Sequence, residues 1–125
     1  MKTILLAEDD PFILDIYSSQ FRVEGFRVDV ARDGQMALDK IKTNLPDLLV
    51  LDINLPKING AEILKSLRED IRTKNVKVIV LSNYDENAIN EKYNTNLGEM
   101  GVLKVFLKVS VTPSEITTVI KEILH

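Results

Sequence analysis

Apolar residues recur along this chain in two rhythms. In one, every position of a short run is apolar, as in Ile4-Leu5-Leu6-Ala7 and Leu48-Leu49-Val50-Leu51. Such runs, bounded by turn residues, predict strands buried on both faces. In the other, apolar residues return every three or four positions, which predicts helices that bury one stripe. Strands are expected over Thr3–Ala7, Phe26–Ala31, Leu48–Leu51, Val76–Leu81 and Val102–Leu107. Helices are expected around Ile13, Ile16, Tyr17 and Phe21, around Ala37, Leu38, Ile41 and Leu45, and around Leu64, Leu67 and Ile71. Two more are expected around Ile89, Tyr93 and Leu97 and around Ile116, Val119, Ile120, Ile123 and Leu124. Asp10-Pro11 and Thr112-Pro113 supply a capping side chain followed by proline at the first helical position.

Strands that alternate with helices predict an α/β fold: a five-stranded parallel sheet with five helices on both faces. The second strand alternates apolar and charged residues and the fifth carries Lys104, so both read as edges. Right-handed crossovers between them give the strand order 2-1-3-4-5. The order reverses between strands one and three, and a cleft should open at their carboxyl ends.

Composition removes several classes of function. The 125 residues fit one domain, 1–125. There are no cysteines, and His125 is the only histidine, which excludes disulfides, thiolate chemistry, histidine metal clusters and a catalytic triad. A net charge of −3 gives no basic face for nucleic acid. No stretch of 18 apolar residues or apolar leader is present, so no membrane partner is expected and the cytoplasm is the default location.

The chemistry lies where the predicted strands end. Glu8 and Asp9 follow the first strand, Asp52 the third, Ser82 the fourth and Lys108 the fifth. One rim would then hold three carboxylates, a hydroxyl and an ammonium. Carboxylates this close cannot all ionise without a cation. Oxygen donors with room for water suit Mg²⁺. Asp10 reads as a helix cap instead. With no general base or adenine pocket, the set suits a carboxylate that receives a phosphoryl group.

These residues together resemble the receiver domain of bacterial response regulators, of the stand-alone layout of the chemotaxis regulator. The resemblance rests on Ile4-Leu5-Leu6-Ala7-Glu8-Asp9-Asp10, Asp52-x-x-x-Pro56-x-x-x-Gly60, Ser82 and Lys108, and it covers the whole chain. It implies a flavodoxin-like fold and a two-component signalling switch. Asp52 would take a phosphoryl group from a sensor histidine kinase or phosphotransfer protein. Glu8, Asp9, Asp52 and the backbone carbonyl of Asn54 would hold Mg²⁺. Ser82 and Lys108 would bind phosphoryl oxygens, and helix 4, strand 5 and helix 5 would form the output surface. The alternatives are a receiver-fold binding module that is not phosphorylated and a phosphohydrolase of the haloacid dehalogenase type. The latter wants a second acid where Asn54 stands.

Three positions depart from the family pattern. Val105 stands where an aromatic switch residue is common, and the aromatic is Phe106, which strand alternation turns to the other side. Val109 replaces the proline that often follows the lysine, and Asn83 replaces a small residue after Ser82. The asparagine-rich stretch Asn83–Leu97 has poor helix propensity and is expected to form a mobile fourth helix.

Overall fold

A computed structural model describes residues 1–125. In chain order the elements are β1 (Thr3–Ala7), α1 (Pro11–Val23), β2 (Arg27–Ala31), α2 (Gly34–Thr43) and β3 (Leu48–Leu51). They continue with α3 (Gly60–Glu69), β4 (Lys77–Ser82), α4 (Glu86–Lys92), β5 (Val102–Leu107) and α5 (Pro113–Leu124). All neighbouring strands are parallel and the order is β2-β1-β3-β4-β5, as the pattern of edges predicts.

Alternation along the interior strands divides the core into two layers. Ile4, Leu6, Leu48, Val50, Ile79 and Leu81 pack with Leu14, Tyr17 and Phe21 of α1 and with Ile116, Ile120 and Leu124 of α5. Leu5, Leu49, Leu51, Val78 and Val80 pack with α2, α3 and α4 through Leu38, Ile41, Ile63, Leu64, Leu67 and Ile89. Every residue of β3 is fully buried. Each such Leu or Val contributes about 1.5–3 kcal/mol of burial. That burial fixes the end of β3, and so the start of the next loop.

The helices begin where side chains can satisfy their free N–H groups. Asp10 accepts from Phe12 N at 2.9 Å, Asp33 from Met36 N at 2.8 Å, Asn59 from Glu62 N at 3.0 Å and Asp85 from Ala88 N at 2.9 Å. Thr112 caps α5 and bonds back to the Glu115 side chain, a reciprocal pair.

Several boundaries differ from the sequence expectation. β2 begins one residue later than expected, and β4 both begins and ends one residue later, so Ser82 lies inside β4. Leu45 and Ile71 lie beyond α2 and α3 and are exposed. On α1, Leu14 and Ser18 are buried where Ile16 was expected and Ile16 is half exposed. The fourth helix ends at Lys92 rather than reaching Leu97, because Asn94 adopts a left-handed φ of 48° that α-helix cannot continue. Leu97 is buried all the same. The asparagines staple this turn: Asn90 accepts from Leu97 N at 2.9 Å and Asn96 from Glu99 N at 3.0 Å.

A register shift between β4 and β5 has a larger consequence. Val78 faces Val102, but Ile79 faces Lys104, so Leu103 is an extra, half-exposed residue. The bulge lets Val102 and Val105 both pack on the α3/α4 layer, while Phe106 packs on the α1/α5 layer. The expected opposition of Val105 and Phe106 therefore holds.

Candidate functional site

The carboxyl ends of β1, β3, β4 and β5 meet at one rim, and backbone bonds hold each in place. Asp52 N donates to Ala7 O at 2.9 Å, Glu8 N to Ala31 O at 2.9 Å and Lys108 N to Ser82 O at 2.8 Å. Glu8 and Asp52 are thereby buried side by side at 0% and 3% exposure, whereas Asp9 is exposed. Oxygens of Glu8, Asp9 and Asp52 lie within 4.8 Å of one another.

Lys108 reaches across from β5 between the two buried acids. Its Nζ stands 2.9 Å from Glu8 and 3.1 Å from Asp52, with a side chain only 10% exposed. Both Glu8 oxygens lie near this nitrogen, but only Oε1 accepts a well-directed hydrogen bond. Oε2 is buried without one. Oε1 also accepts from Asp10 N at 3.1 Å. One ammonium thus faces two buried carboxylates, a net negative site with a lone pair free. That donor set, all oxygen and one of it orphaned, fits a hard divalent cation.

The electrostatics agree. Burial pushes the Glu8 carboxyl up from 4.5 to about 7; the charge of Asp52 adds to the push, and Lys108 opposes it. For Lys108, burial pulls downward, but the bond to Glu8 and the charges of Asp52 and Glu8 outweigh it, so the net direction is upward. The raised Glu8 value has a definite sign in stability. Between its unfolded and folded values the native protein holds a proton that the unfolded chain has lost, so stability falls as pH rises through that window. Glu8→Gln should therefore flatten the pH dependence measured by urea unfolding. The difference from wild type should grow by about 3 kcal/mol from pH 4.5 to 7 in chelator. A bound divalent cation should erase most of it.

The loop after Asp52 is set by close backbone contacts. Asn54 N donates to Asp52 Oδ1 at 3.1 Å. Gly60 N donates to Ile53 O at 2.7 Å, and a Cβ on Gly60 would lie 2.7 Å from Ile53 Cα. Gly34 N donates to Pro56 O at 3.0 Å, so the start of α2 lies against the same loop. The spacing from Asp52 through Pro56 to Gly60 thus describes a loop pressed against two helix starts.

Of the residues expected at the site, Glu8, Asp9, Asp52 and Lys108 come together. Ser82 is buried at the end of β4, where its Oγ accepts from Tyr84 N at 3.1 Å. Asn54 lies in the adjoining loop with an exposed side chain. Asn83 is exposed beyond Ser82, Val109 is 86% exposed, and the peptide bond before Val109 is trans, as all are. Two residues were not anticipated. Tyr93 bonds through its hydroxyl to Asn54 Oδ1 at 3.4 Å. Tyr17, buried on α1, has its phenol pushed up by burial, with Glu115 and Glu8 adding to the shift. Nothing in local spacing marks either, since both partners come from elsewhere in the chain.

Residues 4–121 match the family model of the response regulator receiver domain. The chain belongs to that family. Receiver domains are characteristically phosphoacceptor switches rather than turnover enzymes, and their relatives place this chain among two-component response regulators. It is 33% identical to the alkaline phosphatase synthesis transcriptional regulatory protein PhoP of Bacillus subtilis (strain 168), over 99% of this chain and 49% of that protein. It is 44% identical over 66 residues to the transcriptional regulatory protein TrcR of Mycobacterium tuberculosis, which covers 53% of this chain and 26% of that one. The chain therefore spans half or less of the length of these relatives. Among solved structures, a CheY-like receiver domain protein from Methanospirillum hungatei superposes with a TM-score of 0.83 at 27% identity, covering 98% of this chain and 92% of that one. The response regulator TrrA from Thermotoga maritima, solved in complex with Mg²⁺-BeF, gives 0.80 at 29%, covering 98% and 99%. The chemotaxis regulator CheY4 of Vibrio cholerae shares the fold, with a TM-score of 0.85 at 23% identity over 98% of both chains.

Proposed function

We propose that residues 1–125 act as one cytoplasmic receiver domain whose Asp52 accepts a phosphoryl group from a phosphohistidine of a sensor kinase or phosphotransfer protein. The observation that carries this reading is Asp52 itself: a buried carboxylate at a strand end, 3.1 Å from Lys108 and beside two further acids. In the transfer, an Asp52 oxygen bonds to phosphorus, the phosphorus–nitrogen bond breaks, and the electron pair leaves with the imidazole. Glu8, Asp9, Asp52 and the backbone carbonyl of Asn54 would hold Mg²⁺. When bound, that ion neutralises charge on the phosphoryl oxygens, the main requirement of this chemistry.

The chain's own residues do the rest. The bond from Asn54 N fixes one oxygen of Asp52, and Lys108 neutralises the other until a phosphoryl oxygen takes its place. The Ser82 hydroxyl, freed from Tyr84 N, would bond another phosphoryl oxygen and draw the loop from Asn83 toward the site. α4, β5 and α5 would carry that change to a partner. The chain acts on no other substrate in this reading, because Asn54 stands where a hydrolase would place its second acid.

Beryllofluoride with Mg²⁺ tests the reading without covalent chemistry. A bound fluorine signal in wild type, lost in Asp52→Ala, is expected, together with no turnover of p-nitrophenyl phosphate. Steady release of nitrophenol that depends on Asp52 would favour a hydrolase instead.

A further inference from the structure

We propose that Tyr93 is a positioning residue for the Asp52 loop, and that it couples the carboxyl end of α4 to the lifetime of a phosphoryl group on Asp52. The inference rests on Asp52 being the phosphoacceptor and adds to it a control that the aromatic position of β5 does not supply. Val105 is aliphatic, and Phe106 packs in the α1/α5 layer, away from α4. Beside the Ser82 loop, a second route from the site to α4 would couple the two directly through the loop after β3.

Such a route is present in three links. Asn54 N donates to Asp52 Oδ1 at 3.1 Å, so the Asn54 backbone follows the state of that carboxylate. The Tyr93 hydroxyl donates to Asn54 Oδ1 at 3.4 Å, and Tyr93 N closes α4 by donating to Ile89 O at 3.0 Å. Lys92 Nζ then lies over both tyrosine rings, 4.9 Å from the centroid of Tyr84 and 5.4 Å from that of Tyr93. Tyr84 N is the donor to the Ser82 hydroxyl. The helix end therefore grips the loop after β3 through Tyr93 and the loop after β4 through Lys92 and Tyr84.

Two features make Tyr93 a movable link rather than a fixed strut. At 3.4 Å the hydroxyl bond is long, so a small displacement of Asn54 either tightens or breaks it. Tyr93 also lines a cleft of about 340 Å³ with Asn59, Glu62, Lys65, Thr95 and Met100, which leaves the ring room to move. The chain beyond turns at once on Asn94, with φ 48°. A shift of Tyr93 thus passes to the 94–101 turn rather than along a continuing helix.

Holding Asn54 over the end of β3 restrains the loop through which water reaches the acyl phosphate. In that hydrolysis a water oxygen bonds to phosphorus, the bond from phosphorus to the Asp52 oxygen breaks with its electrons staying on the carboxylate, and inorganic phosphate leaves. Tyr93→Phe keeps the ring and its cation contact but removes the hydroxyl. The protein loaded with acetyl phosphate and Mg²⁺ should lose its phosphoryl group about threefold faster or more in Tyr93→Phe, followed by intact mass. If Tyr93 acts through Asn54, the same change in an Asn54→Ala background should have almost no further effect. An unchanged decay in Tyr93→Phe, or the same factor in both backgrounds, overturns the proposal, since a merely structural role would multiply independently. Should even wild type take up no phosphoryl group, the phosphoacceptor reading fails separately. The link itself is then read from Mg²⁺ titration with labelled tyrosine: ring signals of Tyr93 that shift in wild type but not in Asn54→Ala support it, and signals that stay still in wild type refute it.

Discussion

Gly34→Ala is expected to lower the unfolding free energy by about 3 kcal/mol, the upper end of the usual cost of overpacking. A Cβ at this position would lie 1.9 Å from the carbonyl oxygen of Ile58 and 2.7 Å from its Cβ. The obstacle is backbone, which cannot swing aside as a long side chain would. Either α2 lifts from the loop, breaking the bond from Gly34 N to Pro56 O, or the loop between Asp52 and Gly60 shifts. Both routes disturb the candidate site, so the variant should also weaken binding of a divalent cation. Gly25→Ala provides the contrast. Its φ of 95° is unfavourable for alanine, but nothing lies within 4 Å, so the loss should stay near 1 kcal/mol. Urea unfolding of the two variants separates a clash from a conformational preference. A Gly34→Ala protein as stable as wild type would show that α2 does not seat on this loop.

Lys108→Ala should be as costly, and its cost should depend on pH. The Lys108 ammonium is the only basic side chain in an ion pair with Glu8 or Asp52, and the contacts at 2.9 and 3.1 Å are almost closed to water. Removing one partner of a buried pair leaves the other charge without compensation, typically a loss of about 3 kcal/mol or more. Here the loss has an outlet, because the Glu8 carboxyl already titrates near 7. Without Lys108 its proton is held more tightly still. The variant should therefore lose about 3 kcal/mol near pH 8 and markedly less near pH 5.5, where Glu8 is neutral in both proteins. The sign is fixed: deprotonating Glu8 harms the variant more, so the gap widens as pH rises. Divalent cation should narrow it again at the higher pH. Transfer to Asp52 should slow about tenfold or more, since a fixed positive charge at the phosphoryl oxygens is lost. A gap that does not change with pH would mean that Lys108 packs at this rim without serving the acids.

Much of this arrangement can be read from the residues alone, and the parts that cannot share a cause. β1 and β3 are legible because four consecutive apolar residues have no partner but a two-sided core, and their terminal acids follow directly. The meeting of Glu8, Asp52 and Lys108 follows from strand order, which the charged positions of β2 and Lys104 on β5 reveal. The bulge at Leu103 is not legible, because Val102-Leu103-Lys104-Val105 fits strict alternation just as well until β4 is beside it. The end of α4 is not legible for a similar reason: Leu97 keeps helical spacing and is buried, yet it arrives by a turn that Asn90 and Asn94 build. At the site, the Tyr93 contact joins residues 39 apart, and only the finished fold brings them together. Local patterns give elements and their ends; contacts between loops require the assembled sheet.

The central claim is that Asp52 is the phosphoacceptor, and the most direct measurement is intact mass after incubation with a small-molecule phosphodonor. The account predicts one added phosphoryl group in wild type with Mg²⁺, removed by mild base, and none with chelator or in Asp52→Ala. Uptake by Asp52→Ala equal to wild type, or by wild type in chelator, would contradict it.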